Sequence, residues 1–278
     1  MLADYHVHTE FSDDSDYEME EVVRHAIEIG LDEICFTDHV DYGIKLDHGT
    51  SGPVPRLAPD GQPYRNVDYP RYFAKIEMLQ KKYEGQIVIK KGLEFGVQMI
   101  HLEEYEKLYE KYPMDFIIHS NHQVDDVEIY LPEYTAGKTQ REYNRLYYEE
   151  ILRTVNAFKN YSVLGHLDSI NRYDPKGALP FEEFSDLAYE ILKVAISDNK
   201  GIEFNTSHVR YKVQGTTPCI EILKLYKELG GQIITIGSDS HRPEHLGFRI
   251  RETQNLLKDL GYEYFCTYEK MEPIFHKL

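Results

Sequence analysis

The chain has 278 residues, 41% of them hydrophobic, which suits a single α/β domain over 1–278 with a sizeable core. Its formal net charge of −17 argues against nucleic acid as a partner, because phosphate backbones are held by basic surface, but leaves room for a small phosphorylated substrate. No apolar run has bilayer-spanning length and no leader is apparent, so no membrane partner is expected; three widely spaced cysteines (Cys35, Cys219, Cys266) suggest reduced thiols and a cytoplasmic setting.

Short apolar runs alternate with longer amphipathic stretches along the chain. The runs lie at Leu2–His8, Glu33–Thr37, Ile87–Glu94, Asp115–His119, Ser162–His166, Gly201–Asn205 and Gln232–Gly237. Helical patterns follow near 18–30, 69–84, 101–112, 139–158, 181–199, 218–230 and 247–260. In the first helix Val22, Val23, Ala26 and Ile27 make one stripe, and Gly30 supplies a stop. Pro180 and Pro218 are expected in the first turns of two later helices. Seven strand-then-helix units predict a parallel sheet, either open or closed into a barrel. Residues 40–68 and 123–138 form loops too long for simple connectors, as binding loops and lids often are.

The residues at the strand ends carry the chemical signal. Strand one ends in His6 and His8, strand two in Asp38-His39, and strand three in Glu94. Strand four runs into His119-Ser120-Asn121-His122, strand five into His166, strand six into Asn205, and strand seven into Asp239-Ser240-His241. In parallel α/β folds, one edge of the sheet collects these ends and builds the active site there. Nitrogen and carboxylate ligands converging without cysteine suit zinc, manganese or iron, and their number exceeds one ion's needs. Either His119 or His122 serves strand four by this reasoning. His25, His48, His101, His245 and His276 stay outside the set, His25 as a solvated helix residue. Asp4 shares a face with His6 and His8 under strict alternation, so it is expected to orient a histidine ring.

The ordered set His6-Val7-His8, Thr37-Asp38-His39, Gly92-Leu93-Glu94, Ser120-Asn121-His122, Gly165-His166 and Ser238-Asp239-Ser240-His241 resembles the PHP (polymerase and histidinol phosphatase) family. Gly165-His166-Leu167-Asp168 with Arg172, and Asn205-Thr206-Ser207-His208-Val209-Arg210, are similar to its histidinol-phosphate-hydrolysing members. The resemblance implies a distorted (β/α)7 barrel of parallel strands and three divalent transition-metal ions (zinc, manganese or iron). His6, His8, Glu94 and Asp239 would hold the first ion, Glu94, His122 and His166 the second, and Asp14, His39 and His241 the third. It selects His122 over His119, which becomes a packed neighbour; between adjacent Asp13 and Asp14, spacing from His8 favours Asp14.

The activity so implied is hydrolysis of L-histidinol phosphate in histidine biosynthesis, by attack of a metal-bridging hydroxide on the phosphomonoester. Asp239, His241 and Glu94 are the catalytic candidates, and Arg172 and Arg210 are positioned to bind phosphate. Other small phosphomonoesters or cyclic phosphates would suit the same metals. An amidohydrolase-like enzyme is the alternative hydrolase, with Lys90 or Lys91 near strand three as a bridging lysine. A non-catalytic domain serving a nucleic-acid enzyme fits the acidic chain poorly.

Overall fold

The computed structural model describes residues 1–54 and 57–278; positions 55 and 56, inside the long loop flagged over 40–68, lie outside the described residues. Seven parallel strands form the centre: β1 (Ala3–Val7), β2 (Glu33–Phe36), β3 (Val88–Gly96), β4 (Phe116–Ser120), β5 (Val163–Leu164), β6 (Gly201–Asn205) and β7 (Ile234–Gly237). They pair in that order, and a two-residue strand, His39–Val40, adds to β3 opposite Glu94 and Phe95. The sheet curls until its ends meet. His8 N–H donates to the Ser240 carbonyl (2.8 Å) and Ser240 N–H to the His6 carbonyl (3.2 Å), closing a parallel bridge between Val7 and Ser240. The expected (β/α)7 barrel is therefore present, nearly closed, with its seam in the loop after β7.

Strands β1, β2, β4, β5, β6 and β7 are buried along their whole length, as strands covered on both faces must be. Among the described residues, seven longer helices cover them, besides a single turn at Pro132–Thr135: α1 (Met19–Glu28), α2 (Tyr69–Lys82), α3 (Leu102–Lys111), α4 (Gln140–Ala157), α5 (Ser185–Ser197), α6 (Ile220–Glu228) and α7 (Ile250–Asp259). Met19, Val22, Val23 and Ala26 form the buried stripe of α1. Helix α4 starts in a capping box, with Thr139 and Glu142 each satisfying the other's backbone N–H. The two prolines sit earlier than expected. Pro180 precedes a 3-10 turn at Phe181–Glu183 and α5 begins only at Ser185; Pro218 lies two residues ahead of α6. Among the described residues, no helix is long and apolar enough to cross a membrane.

Sequence periodicity missed the C-terminal hairpin of β8 (Tyr264–Glu269) and β9 (Glu272–Lys277). It covers the N-terminal ends of the barrel strands, opposite the ligand-rich rim. Tyr268 N–H donates to the Tyr5 hydroxyl (2.7 Å), which itself bonds Glu33, and the Tyr268 and Phe116 rings pack 5.0 Å apart.

His119 is a core residue. Its ring lies edge-on to Tyr161 at 4.9 Å, its Nε2 is 3.0 Å from Thr154 Oγ1, and burial pushes its pKa down to about 3. The folded chain holds this ring neutral, whereas an unfolded histidine takes up a proton near pH 6.5, so stability is lost as pH falls from there toward 3. His119→Phe, which keeps an aromatic ring, should flatten this loss. Urea unfolding of metal-free protein between pH 6.5 and 4 measures it, and parallel pH slopes for variant and parent would refute it.

Candidate metal centre

At the C-terminal rim, strand ends deliver His6 and His8 from β1, His39 beside β3, Glu94 from β3, His122 after β4, His166 after β5, and Asp239 and His241 after β7. Six imidazoles form a continuous ring: neighbouring centroids lie 5.0 Å apart for His6–His8, 4.0 Å for His8–His241, 5.9 Å for His241–His39, 5.1 Å for His39–His122, 5.5 Å for His122–His166 and 5.5 Å for His166–His6. Glu94 sits among them, fully buried. Its Oε1 is 2.8 Å from His166 Nε2 and 3.1 Å from His122 Nε2, and its Oε2 is 3.1 Å from His6 Nε2 and 3.0 Å from His39 Nδ1. Ser120 donates to Oε1 at 2.6 Å.

The other carboxylates separate by partner. Asp239 Oδ1 lies 3.7 Å from His6 Nε2 and 3.6 Å from His8 Nε2. Asp14 Oδ2 lies 3.1 Å from His241 Nε2 and 3.5 Å from His39 Nε2, while its neighbour Asp13 turns away to Lys45. Ligand atoms of His6, His8 and Asp239 come within 4.8 Å of one another, as do those of His6, Glu94 and His166, of His8, His39 and His241, and of His39, Asp41 and His122.

Burial alone would raise the Glu94 carboxyl, but His6, His122 and His39 hold it well below its ordinary range. Asp239 is likewise raised by burial and pulled far down by His6, Arg172 and His241. His8 is driven well below an ordinary histidine by burial and by the neighbouring rings of His241, His39 and His6. A neutral imidazole is the ligand form. His8 Nε2 and His39 Nδ1 are buried nitrogens without a hydrogen bond, although both face Glu94. Leaving such groups unpaired costs about 1–3 kcal/mol each. Orphaned ring nitrogens around ionised carboxylates are the donor set that divalent cations take, so the residues fit the metals inferred from the strand ends.

Groups that fix the rings were missed in the sequence. Glu203, inside β6, accepts from His6 Nδ1 at 2.6 Å, turning Nε2 to the centre, and also accepts from His166 N–H at 2.8 Å. Asp41 does the same for His122, with Oδ1 2.8 Å from Nδ1. His241 Nδ1–H donates to the Asp239 carbonyl (3.0 Å), and Ser12 Oγ lies 3.2 Å from His8 Nδ1. A charged residue inside a wholly buried strand was the available signal for Glu203. The middle residue of Thr37-Asp38-His39 is not a ring partner: Asp38 accepts from Thr9 N–H (2.7 Å) and Ser12 Oγ (2.7 Å), holding the turn that leads to Asp14.

Asp4 does not orient a histidine ring as expected. The register of β1 against β2 shifts between Asp4 and Val7, so strict alternation fails there. Asp4 instead accepts from Ser238 N–H (2.8 Å) and Gly247 N–H (2.9 Å), clamping the loop that bears Asp239. Asp239 has a left-handed backbone, φ 57°, uncommon for a residue with a side chain. Arg210 Nη2 donates to the carbonyls of Ser238 and Asp239, both at 2.8 Å, and steadies that turn from the other side. Arg172 reaches the Asp239 carboxylate directly, Nη2 to Oδ2 at 3.0 Å, and its guanidinium lies over the Tyr211 ring at 4.8 Å.

A cavity of about 270 Å³ opens above the ring, lined by Arg172, Asp239 and His241 together with Asp41, Lys45 and Tyr64 from the first long loop and Glu128, Ile129 and Tyr130 from the second. Both loops thus contribute walls. Lys91 pairs with Glu77, and neither Lys90 nor Lys91 lines the cavity, so the bridging-lysine arrangement of an amidohydrolase-like site is not formed. His48, His101, His245 and His276 fall outside the ring; His25 is half-buried against the Tyr17 hydroxyl (2.8 Å) rather than solvated.

Residues 4–207 match the PHP domain. A histidinol-phosphatase from Lactococcus lactis is 33% identical over 274 residues, covering 97% of this chain and 95% of that protein. A probable histidinol-phosphatase from Clostridium acetobutylicum is 27% identical over 261 residues, covering 93% and 94%. The crystal structure of histidinol phosphate phosphatase from Lactococcus lactis, complexed with zinc, L-histidinol and phosphate, superposes with a TM-score of 0.84 at 32% identity over 98% of each chain. By the match over most of its strands and by full-length likeness to these relatives, the chain belongs to the PHP domain family.

Proposed function

We propose that the chain is a metal-dependent phosphomonoesterase that hydrolyses L-histidinol phosphate to L-histidinol and phosphate, a step of histidine biosynthesis. The observation that carries this reading is the buried Glu94 inside a ring of six histidines, opening onto a cavity with Arg172 in its wall. Full-length likeness to a phosphatase seen with zinc, histidinol and phosphate supports the substrate. Three ions are assigned as follows: His6, His8, Glu94 and Asp239 would hold one, Glu94, His122 and His166 another, and Asp14, His39 and His241 the third. When bound, divalent ions lower the pKa of water and neutralise phosphoryl oxygens. Zinc heads the list of candidate metals, with manganese and iron also suited to the donors.

The chain's own residues do the rest. Glu94 spans donor groups on both of its oxygens and keeps them in one place through turnover. Arg172, held by Asp239 and stacked on Tyr211, offers a fixed cation at the cavity wall for a phosphate oxygen. Arg210 does not line the cavity; its Nη2 is spent on the carbonyls of Ser238 and Asp239, so it serves the site by holding the loop that bears Asp239 rather than by touching phosphate. Asp239 and His241 flank the cavity; the Asp239 carboxylate stays ionised beside Arg172 and His241 spends its Nδ1–H on the Asp239 carbonyl, so both serve as ligands beside the phosphoryl group and the leaving alkoxide takes its proton from water.

Zinc-loaded protein should contain about three ions per chain, one for each ligand group. It should release phosphate from histidinol phosphate faster than from sugar phosphates, nucleotides or phosphodiesters; full activity after chelation would overturn the mechanism. Asp239→Asn should lower kcat by on the order of 10²–10³-fold or more with the fold intact, since asparagine tolerates the left-handed backbone. An active variant would remove Asp239 from the chemistry. Arg172→Met should cut kcat/KM by roughly 10–100-fold, the value of a charge-assisted hydrogen bond, and weaken inhibition by inorganic phosphate. Unchanged phosphate inhibition would place Arg172 away from the phosphoryl group.

A further inference from the structure

Lys45 is a buried lysine in the first long loop, and none of the assigned metal contacts uses it. Its ammonium sits between two carboxylates: it bonds Asp13, and it lies 2.9 Å from Asp41 Oδ2. The other oxygen of Asp41 is the one that meets His122 Nδ1 at 2.8 Å, and His122 Nε2 faces Glu94 at 3.1 Å. A single line of contacts therefore runs Lys45, Asp41, His122, Glu94. Around Asp41 the backbone is shaped for this line. A Cβ on Gly96 would fall 2.0 Å from Asp41 Oδ1 and 3.0 Å from His122 Nδ1, so only glycine leaves the pair its space. Asn66 also fixes Asp41, accepting its N–H at 2.9 Å.

Two consequences follow from charge and geometry. Asp41 is buried beside other carboxylates, and without a cation on Oδ2 nothing among these contacts offsets its charge when His122 is neutral. Asp13 is adjacent in sequence to Asp14, which faces His39 and His241, and Lys45 is what draws Asp13 the other way. We propose that Lys45 is a positioning residue of the metal centre: it holds Asp41 on His122, so that His122 Nε2 is presented to an ion. The inference rests on the metal assignment of the proposed function but not on the identity of the substrate.

The test uses the full chain as Lys45→Met, Asp41→Asn and the double variant, with folding followed by circular dichroism. Each protein is equilibrated with zinc at buffered free concentrations and its zinc counted by mass spectrometry; cobalt-loaded samples give visible spectra that report the ligands. Lys45→Met should retain the ion on the His122 side roughly 10–100-fold more weakly, as loss of a ring-orienting partner does. Its cobalt spectrum should change as that of Asp41→Asn does, and the double variant should be no worse than Asp41→Asn alone. Parent-like zinc retention in Lys45→Met, or losses that multiply in the double variant, would overturn the proposal. If Lys45→Met does not fold, parent-like zinc retention and cobalt spectrum in Asp41→Asn overturn it equally. Histidinol phosphate turnover by the parent protein is measured in parallel: its absence would count against the substrate while the zinc result stands.

Discussion

A carboxylate without water around it constrains everything else in this molecule. Glu94 is fully buried at the end of β3, where an isolated charge would be prohibitive. What makes it tolerable is that imidazole nitrogens approach both oxygens, from strands that are far apart in sequence and adjacent around the barrel. The parallel barrel is the means of arranging this, because it brings one end of each strand to a common rim. The same arrangement serves catalysis: without a metal, the carboxylates push His6, His39, His122 and His241 toward the protonated form, and bound cations would take over that positive charge from the rings.

Around the hub lies a second layer that decides which nitrogen of each ring points inward. Glu203, Asp41, Ser12 and the Asp239 carbonyl each engage the far side of a ring. Room for these contacts comes from missing side chains as much as from present ones. A Cβ on Gly237 would lie 2.3 Å from Glu203 Oε1 and 2.4 Å from His6 Cβ, so the glycine that ends β7 is a condition for the His6–Glu203 pair.

Much of this was legible in the sequence because it is local in the sequence. Ligand residues sit at strand ends, and strand ends are visible as the place where an apolar run stops. His8, His39, Glu94 and His166 could be picked out that way, and the seven strand-then-helix units with them, whereas closure into a barrel was implied only by the family resemblance. The ring partners were not legible, since the distance that matters is spatial: Glu203 is 197 residues from His6, and Asp41 is 81 from His122. Asp4 was misread because alternation was assumed through a shift in the register of β1. Residues 264–277 form a hairpin whose outer strand is largely exposed, and so lack the uniform apolar run that marked the barrel strands. Asp13 and Asp14 are chemically identical neighbours, and only Lys45 on one side and two histidines on the other distinguish them.

The seam of the barrel has a further implication. Closure between first and last strands depends on the bridge from Val7 to Ser240, and that bridge lies between His6 and His8 on one side and Asp239 and His241 on the other. An ion shared by these residues would join the two edges of the sheet as well as the site. Metal binding there would add to the hydrogen bonds that already close the seam, raising stability by RT ln(1 + [L]/Kd) for each ion bound by the folded chain alone. Depletion of metal would be felt first as a breathing of the cylinder along this line, which makes the lifetime of the protein in a metal-poor cell, and not only its rate of turnover, a property of the same few side chains.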